Sequence, residues 1–330
     1  MVNILNFHNM KGRLILSLAI IGLLSFTFVP SKLHTRLDVL PEPETTENVI
    51  ILVIDGPRMS ETFGDETGQY IPRLKNDLSP QGVLFTNFKN NGTTTTNSGH
   101  AAITTGTYQK MKNDGSELPK QPSIFQYFLK SSKNSKDKAW IIASKGKLNV
   151  LANARRKGWS NAYMPSHYCG PMGNGVDYVG DASTWDKVED VLNTSRPNLM
   201  LINLLEADTR GHSGQWDKYL QAIRNTDEYA YKLWNYIQSD EHYKGKTTLI
   251  ITNDHGRHLD GHRTGFKEHG DGCDGCRNIY MLALGPDFYQ DKVIEEGYEQ
   301  LDISVLVAEL LKFDMPTSKG RKIEGLMRKK

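Results

Sequence analysis

The decapeptide Thr247–Gly256, TTLIITNDHG, constrains this chain more than any other stretch. Its apolar and β-branched residues predict a buried strand, which stops abruptly at Asn253-Asp254-His255-Gly256. Such a strand delivers an acid and an imidazole to one end of a sheet, and both are good ligands for a divalent cation of the zinc or manganese kind. A lone strand closing in a polar turn would read the same way. This one is not alone.

The pattern recurs. Asn48–Ile54 (NVIILVI) runs into Asp55-Gly56-Pro57-Arg58, and Ala139–Ala143 (AWIIA) into Ser144-Lys145-Gly146-Lys147. Leu199–Leu205 (LMLINLL) runs into Glu206-Ala207-Asp208-Thr209-Arg210-Gly211-His212. Gly82–Phe88 and Ile279–Leu284 predict two further strands. Helical spacing appears in Ser123–Lys130, in Ile303–Phe313, and in the stripe Trp216, Leu220, Ile223, Ala230, Leu233, Ile237, which predicts packing against the sheet. Tyr163–Val176 is rich in turn residues and predicts no element. Strands alternating with helices predict an α/β domain: a central, largely parallel sheet with helices on both faces. Ligands of such sheets gather outside the carboxyl ends of the strands. Asp55, Lys145, Asp208, Asp254 and His255 are therefore expected along one edge.

The remaining limits come from composition. With 330 residues, 38% of them hydrophobic, the chain can bury one large core or two modest ones. A net charge of +2 gives no electrostatic argument for binding a nucleic-acid polymer. At the N-terminus, Lys11-Gly12-Arg13 precedes the apolar run Leu14–Val29 and then Pro30. A basic start followed by about 16 apolar residues fits an export signal, at the short limit for a membrane span. Cleavage and retention as an anchor both stay open, and the expected location is periplasmic or otherwise extracytoplasmic. Residues 1–30 are thus read as signal or anchor, 31–47 as a polar linker, and 48–330 as the α/β domain; any membrane contact would run through the first segment. Three cysteines are too few for a disulfide framework. Cys273-Asp-Gly-Cys276 could close a local disulfide in an oxidising compartment, and without a second such pair a structural zinc site is the weaker reading.

The segment Asn91–Gly106, NGTTTTNSGHAAITTG, predicts a loop of small hydroxyl residues entering a helix. Backbone N–H groups at such a start favour an anionic oxygen, and a threonine hydroxyl would lie beside them; helix capping is the plainer alternative. His100, just inside the helix, is expected to pack. The candidate ligands are Asp55, Asp208, His212, Asp254, His255 and one later histidine among His258, His262 and His269. Asp208 and His212 are one helical turn apart, so both reach a single ion. Mixed nitrogen and oxygen ligation suits Zn2+, with Mn2+ as the alternative. Two ions about 4 Å apart clamp the attacking and leaving oxygens of a displacement at phosphorus, and coordination makes a threonine hydroxyl a competent nucleophile.

The ordered set Asp55-Gly, Thr96-x-x-x-His100, Asp208-x-x-Gly-His212, Asp254-His255-Gly and His269-Gly resembles the alkaline phosphatase superfamily, in its branch with threonine nucleophiles. That branch includes threonine-dependent phosphatases and nucleotide pyrophosphatase/phosphodiesterases. Ile71-Pro72-Arg73-Leu74 followed by Gly82–Asn87 is similar to the family's first helix and strand, and Asp302–Leu311 with Met315-Pro316 to its last helix and tail. The resemblance spans about Asn48–Met327. It implies a phosphate-ester hydrolase acting on small molecules, with two zinc ions per chain. Asp55, Asp254 and His255 would hold one ion together with Thr96, which is also the nucleophile. Asp208, His212 and His269 would hold the other, leaving His258 and His262 as surface or supporting residues.

Ser144-Lys145-Gly146-Lys147 resembles the Lys-x-Arg of the threonine phosphatases, whose cations hold a dianionic phosphoryl group. Two positive charges there favour a monoester over a diester, although lysine in the second position forgoes bidentate recognition. Two solvated lysines after a strand are the plain alternative. Asn113 resembles the family's phosphoryl-contacting asparagine. The expected activity is a phosphomonoesterase working through a phospho-threonine at Thr96. The alternatives are a phosphodiesterase, with an aromatic pocket drawn from Tyr163–Tyr168, and a non-catalytic metal- or ligand-binding relic. Sulfatase chemistry is not expected, because Thr96 cannot be converted to formylglycine.

Overall fold

Among the described residues nine strands form one sheet: β1 (Asn48–Ile54), β2 (Gly82–Lys89), β3 (Ala139–Ala143), β4 (Ser166–Tyr168), β5 (Leu199–Leu204), β6 (Thr247–Asn253), β7 (Asn278–Leu284), β8 (Lys292–Ile294) and β9 (Tyr298–Glu299). The structure is a computed structural model that describes residues 45–170 and 178–328. The expected signal and nearly all of the linker lie outside these residues, as does the end of the Tyr163–Val176 stretch. Among the described residues no helix is long and apolar enough to cross a membrane.

The sheet order is β4-β3-β5-β1-β6-β7-β2-β8, with β9 also paired to β2. Pairing is parallel from β4 through β6 and antiparallel on both sides of β7. The sheet is thus largely parallel, as expected. Its central strands read as continuous apolar runs because both faces are covered. Val49, Ile51 and Val53 enter one hydrophobic cluster with Ala101, Ile124 and Ile303, while Ile50, Leu52 and Ile54 enter the other with Val188, Ile223 and Leu233.

The first cluster is covered by α1 (Thr96–Thr105), α2 (Ile124–Ser132) and, later in the chain, the helix at Gln300–Leu310. The second lies beneath α3 (Asp181–Thr194) and the long helix Trp216–Ser239, which follows α4 (Glu206–His212). These later helices are α5 (Trp216–Ser239), α6 (Asp274–Arg277) and α7 (Gln300–Leu310). Ser123 caps α2 through a reciprocal bond with Gln126. The stripe on α5 packs as expected except at its start. Trp216 is 37% exposed and instead meets the ring of Phe266.

The order β5-β1-β6 makes the site. Ile54 of β1 is in register with Leu204 on one side and Asn253 on the other. Neighbouring strands lie about 4.8 Å apart, so the residues that follow them converge at one sheet edge. β3, next to β5, brings Lys145 to the same edge. Thr46 and Glu47, in the stretch expected to be linker, are hydrogen-bonded to Asp287 and Lys246.

Candidate active site

Three carboxylates meet at this edge. Asp55, Asp208 and Asp254 are all buried, and Lys145 reaches between the first two with Nζ 3.0 Å from Asp55 Oδ2 and 2.6 Å from Asp208 Oδ2. The same Nζ lies 3.2 Å from Thr96 Oγ1. Burial works against the charge on Lys145, but Asp208, Asp55 and Asp254 outweigh it and raise its pKa above the usual lysine range. The carboxylates thus favour the charged ammonium.

Thr96 is the first residue of α1 and is buried. Close approach of this helix to the end of β6 requires Gly99, where a Cβ would come 2.5 Å from the carbonyl oxygen of Asp254. Gly56 is constrained twice over. Its φ is +68°, and a Cβ there would meet Arg257, Asp208 and His255. Its N–H donates to Asp254 Oδ1 at 3.2 Å, which closes the turn after β1 on the acid after β6.

The histidines are pre-oriented. His255 Nδ1 donates to the carbonyl of Gly256 at 2.9 Å, and His269 Nδ1 to the carbonyl of Thr94 at 2.8 Å. Each ring therefore keeps Nε2 as a lone-pair donor, the arrangement found for metal-ligating histidines. Burial, then the neighbouring His269, pushes His255 well below the usual histidine range, and burial takes His269 down to about 4. Both are neutral. His212, half exposed, lies with Nε2 3.1 Å from His269 Nε2 and 3.3 Å from Asp208 Oδ1.

The donor atoms fall into two groups, Asp55–Asp254–His255 and Asp208–His255–His269, each with its atoms within 4.8 Å of one another. Asp55 Oδ1, Asp254 Oδ2 and His255 Nε2 are buried without a hydrogen-bond partner. Orphaned buried acceptors of this kind cost free energy unless something fills the gap between them. Burial, then the Asp55 charge, raises Asp254 to about 6. Asp208 is also buried, but Lys145, His212 and Arg257 hold its carboxyl well below the usual range. Crowded carboxylates with neutral imidazoles beside them fit divalent cations with mixed oxygen and nitrogen ligation.

Lys147 is buried rather than solvated, as is Lys145; they are 6% and 1% exposed. Burial, then repulsion from Lys145, lowers Lys147 to about 8. Asn113 accepts a hydrogen bond from the backbone N–H of Asn97 at 3.0 Å, at the start of α1. Thr96, Asn113, Lys145, Lys147, Tyr178, Asp208, His212 and His269 line one cavity of about 180 Å3. The stretch Tyr163–Tyr168 does not line it. Tyr163 packs on Trp159 instead, and Tyr178 supplies the aromatic ring at the cavity.

Several supporting residues escaped sequence reasoning. His100 is not a packing residue. Its Nδ1 donates to the carbonyl of Thr96 at 2.9 Å and lies 3.3 Å from Asp254 Oδ2, while Nε2 accepts from Asn203. Asn203 also donates to Asp55 Oδ2 at 3.2 Å. It is the one amide within the apolar run of β5, a signal that was available in the sequence. Arg257 is fully buried and bonds Asp208 Oδ1 and the carbonyls of Phe266 and Lys267. Asp181 binds Ser144 and the N–H groups of Leu205 and Glu206, tying the exits of β3 and β5 together.

Fold and site together define a phosphate-ester hydrolase of the alkaline phosphatase superfamily, a class that depends on metal ions. Residues 49–258 match the model of the family described as type I phosphodiesterase / nucleotide pyrophosphatase, and the chain belongs to that family. Among solved structures it is similar to murine ectonucleotide pyrophosphatase/phosphodiesterase 5, at 15% identity and a TM-score of 0.60 over 83% of this chain and 97% of that one. An inactive variant of that murine protein is known in complex with AMP. The phosphonate monoester hydrolase of Silicibacter pomeroyi is similar at 12% identity and a TM-score of 0.58, over 84% of this chain and 76% of that one. An alkaline phosphatase superfamily protein of Vibrio parahaemolyticus is similar at 17% identity and a TM-score of 0.57, over 83% and 68%. No curated protein sequence matches the chain.

Proposed function

We propose that the chain hydrolyses small phosphomonoesters through a covalent intermediate on Thr96, in an extracytoplasmic location reached through its N-terminal segment. The observation that carries this reading is Lys145 Nζ at 3.2 Å from Thr96 Oγ1, in a cavity that also holds Lys147. Two buried cations beside the attacking oxygen match the two charges of a monoester better than the single charge of a diester.

Thr96 Oγ1 attacks phosphorus and gives up its proton to solvent, and the bond to the leaving oxygen breaks as the new P–O bond forms, the leaving oxygen taking a proton from water. Lys145 and Lys147 hold the equatorial phosphoryl oxygens, and the side chain of Asn113 binds one of them at the start of α1. Water then attacks the phosphoryl group, and the P–Oγ1 bond breaks with return of a proton to Oγ1. Asp55, Asp254, His255 and Thr96 would hold one divalent cation and Asp208, His212 and His269 a second, with Zn2+ the metal that best suits these donors. Bound there, the cations would supply Lewis acidity and neutralise developing charge. His100 and Asn203 orient Asp254 and Asp55, and Lys145, with His212 and Arg257, keeps Asp208 ionised against its burial.

A diesterase reading is favoured by the family match and by the AMP complex of the murine relative. Tyr178 at the cavity would then stack against the second ester group. Turnover of a phosphate monoester and its matched diester by the zinc-loaded protein separates the two. A monoester preference that falls about 100- to 1,000-fold in Lys145→Ala, the usual effect of removing one charge-stabilising donor, supports the proposal. A diester preference untouched by that substitution moves the function to the second reading.

A further inference from the structure

A second constellation of metal-ligating side chains lies in the loop that follows β6, apart from the three carboxylates. His258, His262, Asp271 and Cys273 each offer a donor atom, and these atoms lie within 4.8 Å of one another. His262 Nε2 is 2.7 Å from Asp271 Oδ2. His258 is 2% exposed, and neither of its ring nitrogens makes a hydrogen bond, although Nε2 comes within 3.2 Å of Asp271 Oδ1. A buried imidazole with two idle nitrogens, aimed at a carboxylate and a thiol, is an unsatisfied group that calls for a partner.

We propose that His258, His262, Asp271 and Cys273 form a third divalent-cation site, taking zinc, which staples the Arg257–Arg277 loop and thereby fixes His269. Imidazole, carboxylate and thiolate are all zinc ligands, four of them fill a tetrahedral shell, and the two negative charges balance the ion. Zn–N bonds of about 2.0 Å and a Zn–S bond of about 2.3 Å put tetrahedral ligand atoms about 3.3–3.8 Å apart. Asp271 lies 2.7 Å from His262 Nε2 and 3.2 Å from His258 Nε2, no pair of donors is more than 4.8 Å apart, and the half-exposed His262 is free to adjust. Arg263 Nε, 3.1 Å from Asp271 Oδ2, orients the carboxylate from outside. Cys273 Sγ donates to Cys276 Sγ at 3.5 Å, and Cys276 Sγ in turn to Asp271 Oδ1 at 3.7 Å, so the second thiol closes on the same carboxylate.

The staple would act on the hydrolytic site through short covalent paths. Arg257, which bonds Asp208, precedes His258 directly, and His269 is two residues from Asp271. Within the loop, the N–H of His258 donates to the carbonyl of Glu268 at 3.0 Å and the N–H of Gly272 to Thr94 Oγ1 at 3.2 Å. The second bond ties the loop to Thr94 outside it; the first closes the loop on itself and sets His258 against Glu268, three residues before Asp271. An ion between His258 and Asp271 would lock that closure.

Cobalt loading of the full chain, with thiols reduced, tests the site. Co2+ bound to thiolate gives a near-ultraviolet charge-transfer band that nitrogen and oxygen ligands alone do not give. The expected result is three cobalt ions per chain with that band, and loss of both the band and one ion in Cys273→Ser and in His262→Ala. The circular dichroism of His262→Ala, a half-exposed position, should match the parent. A thiolate band with only one cobalt bound would leave this site standing and remove the two-metal reading of the hydrolytic centre. Absence of the band in reduced, folded protein would overturn the proposal. So would its survival in Cys273→Ser, or a Cys273–Cys276 disulfide in protein purified without reductant.

Discussion

The imidazoles of His255 and His269 lie stacked, with centroids 3.8 Å apart and planes 17° from parallel. One ring follows β6 directly and the other comes from the loop beyond it, yet both turn Nδ1 toward a backbone carbonyl, which leaves the lone pair on Nε2; that of His255 meets no partner and that of His269 meets His212. Two neutral rings in contact avoid the repulsion that two imidazolium ions would suffer. The pair is built to give lone pairs to cations, and the cohesion of this sheet edge depends on what those lone pairs meet.

Metal removal should therefore destabilise the protein. A ligand held at 100 times its dissociation constant stabilises the native state by about 2.7 kcal/mol. Chelation of the zinc-loaded protein should lower Tm by several degrees, and added Zn2+ should restore it. A Tm indifferent to chelator would contradict the cation-binding role of the cluster.

Lys147 predicts a pH dependence with a definite sign. Burial, then Lys145, lowers its pKa to about 8. It is charged below that pH and neutral above, so attraction for a dianionic phosphoryl group is present at neutral pH and is lost as pH rises through about 8. KM for a monoester should rise along this alkaline limb. Lys147→Arg, which stays charged, should flatten it. An unchanged limb in that variant would remove Lys147 from substrate binding.

His100 is predicted to act by positioning. It links the carbonyl of Thr96 to Asn203 and lies against Asp254. Loss of an outer partner of a metal ligand costs about 10- to 100-fold in metal affinity or activity. His100→Ala should show that weakening in zinc titrations while His100→Gln retains part of the affinity. Equal zinc affinity in parent and alanine variant would reduce His100 to a packing role.

The fold was legible wherever hydrophobic runs stop sharply. β1, β3, β5 and β6 each declare themselves by an apolar run meeting Asp55, Lys145, the Glu206–His212 segment or Asp254, because both faces of a parallel sheet are buried and only the strand end can be polar. α3 was not legible: Asp181–Thr194 carries a weak apolar stripe, and Asp181 faces inward to bind Leu205 and Glu206. The supporting residues of the site were hidden for a related reason. His100 and Arg257 read as a packing residue and a loop cation, and their roles arise from contacts with Asp254 and Asp208 more than a hundred and nearly fifty positions away. The buried state of Lys145 and Lys147 was equally invisible, since a short polar segment after a strand has the same sequence whether it is solvated or folded inward.

The most direct test of the account is to trap the phosphoryl group. Zinc-loaded protein mixed with a phosphate monoester, quenched in acid during turnover and mapped by peptide mass spectrometry, should carry one added phosphoryl group on the peptide containing Thr96, and Thr96→Ala should carry none and be inactive. Undiminished turnover by Thr96→Ala, or a phosphoryl group found on another residue, would contradict the mechanism.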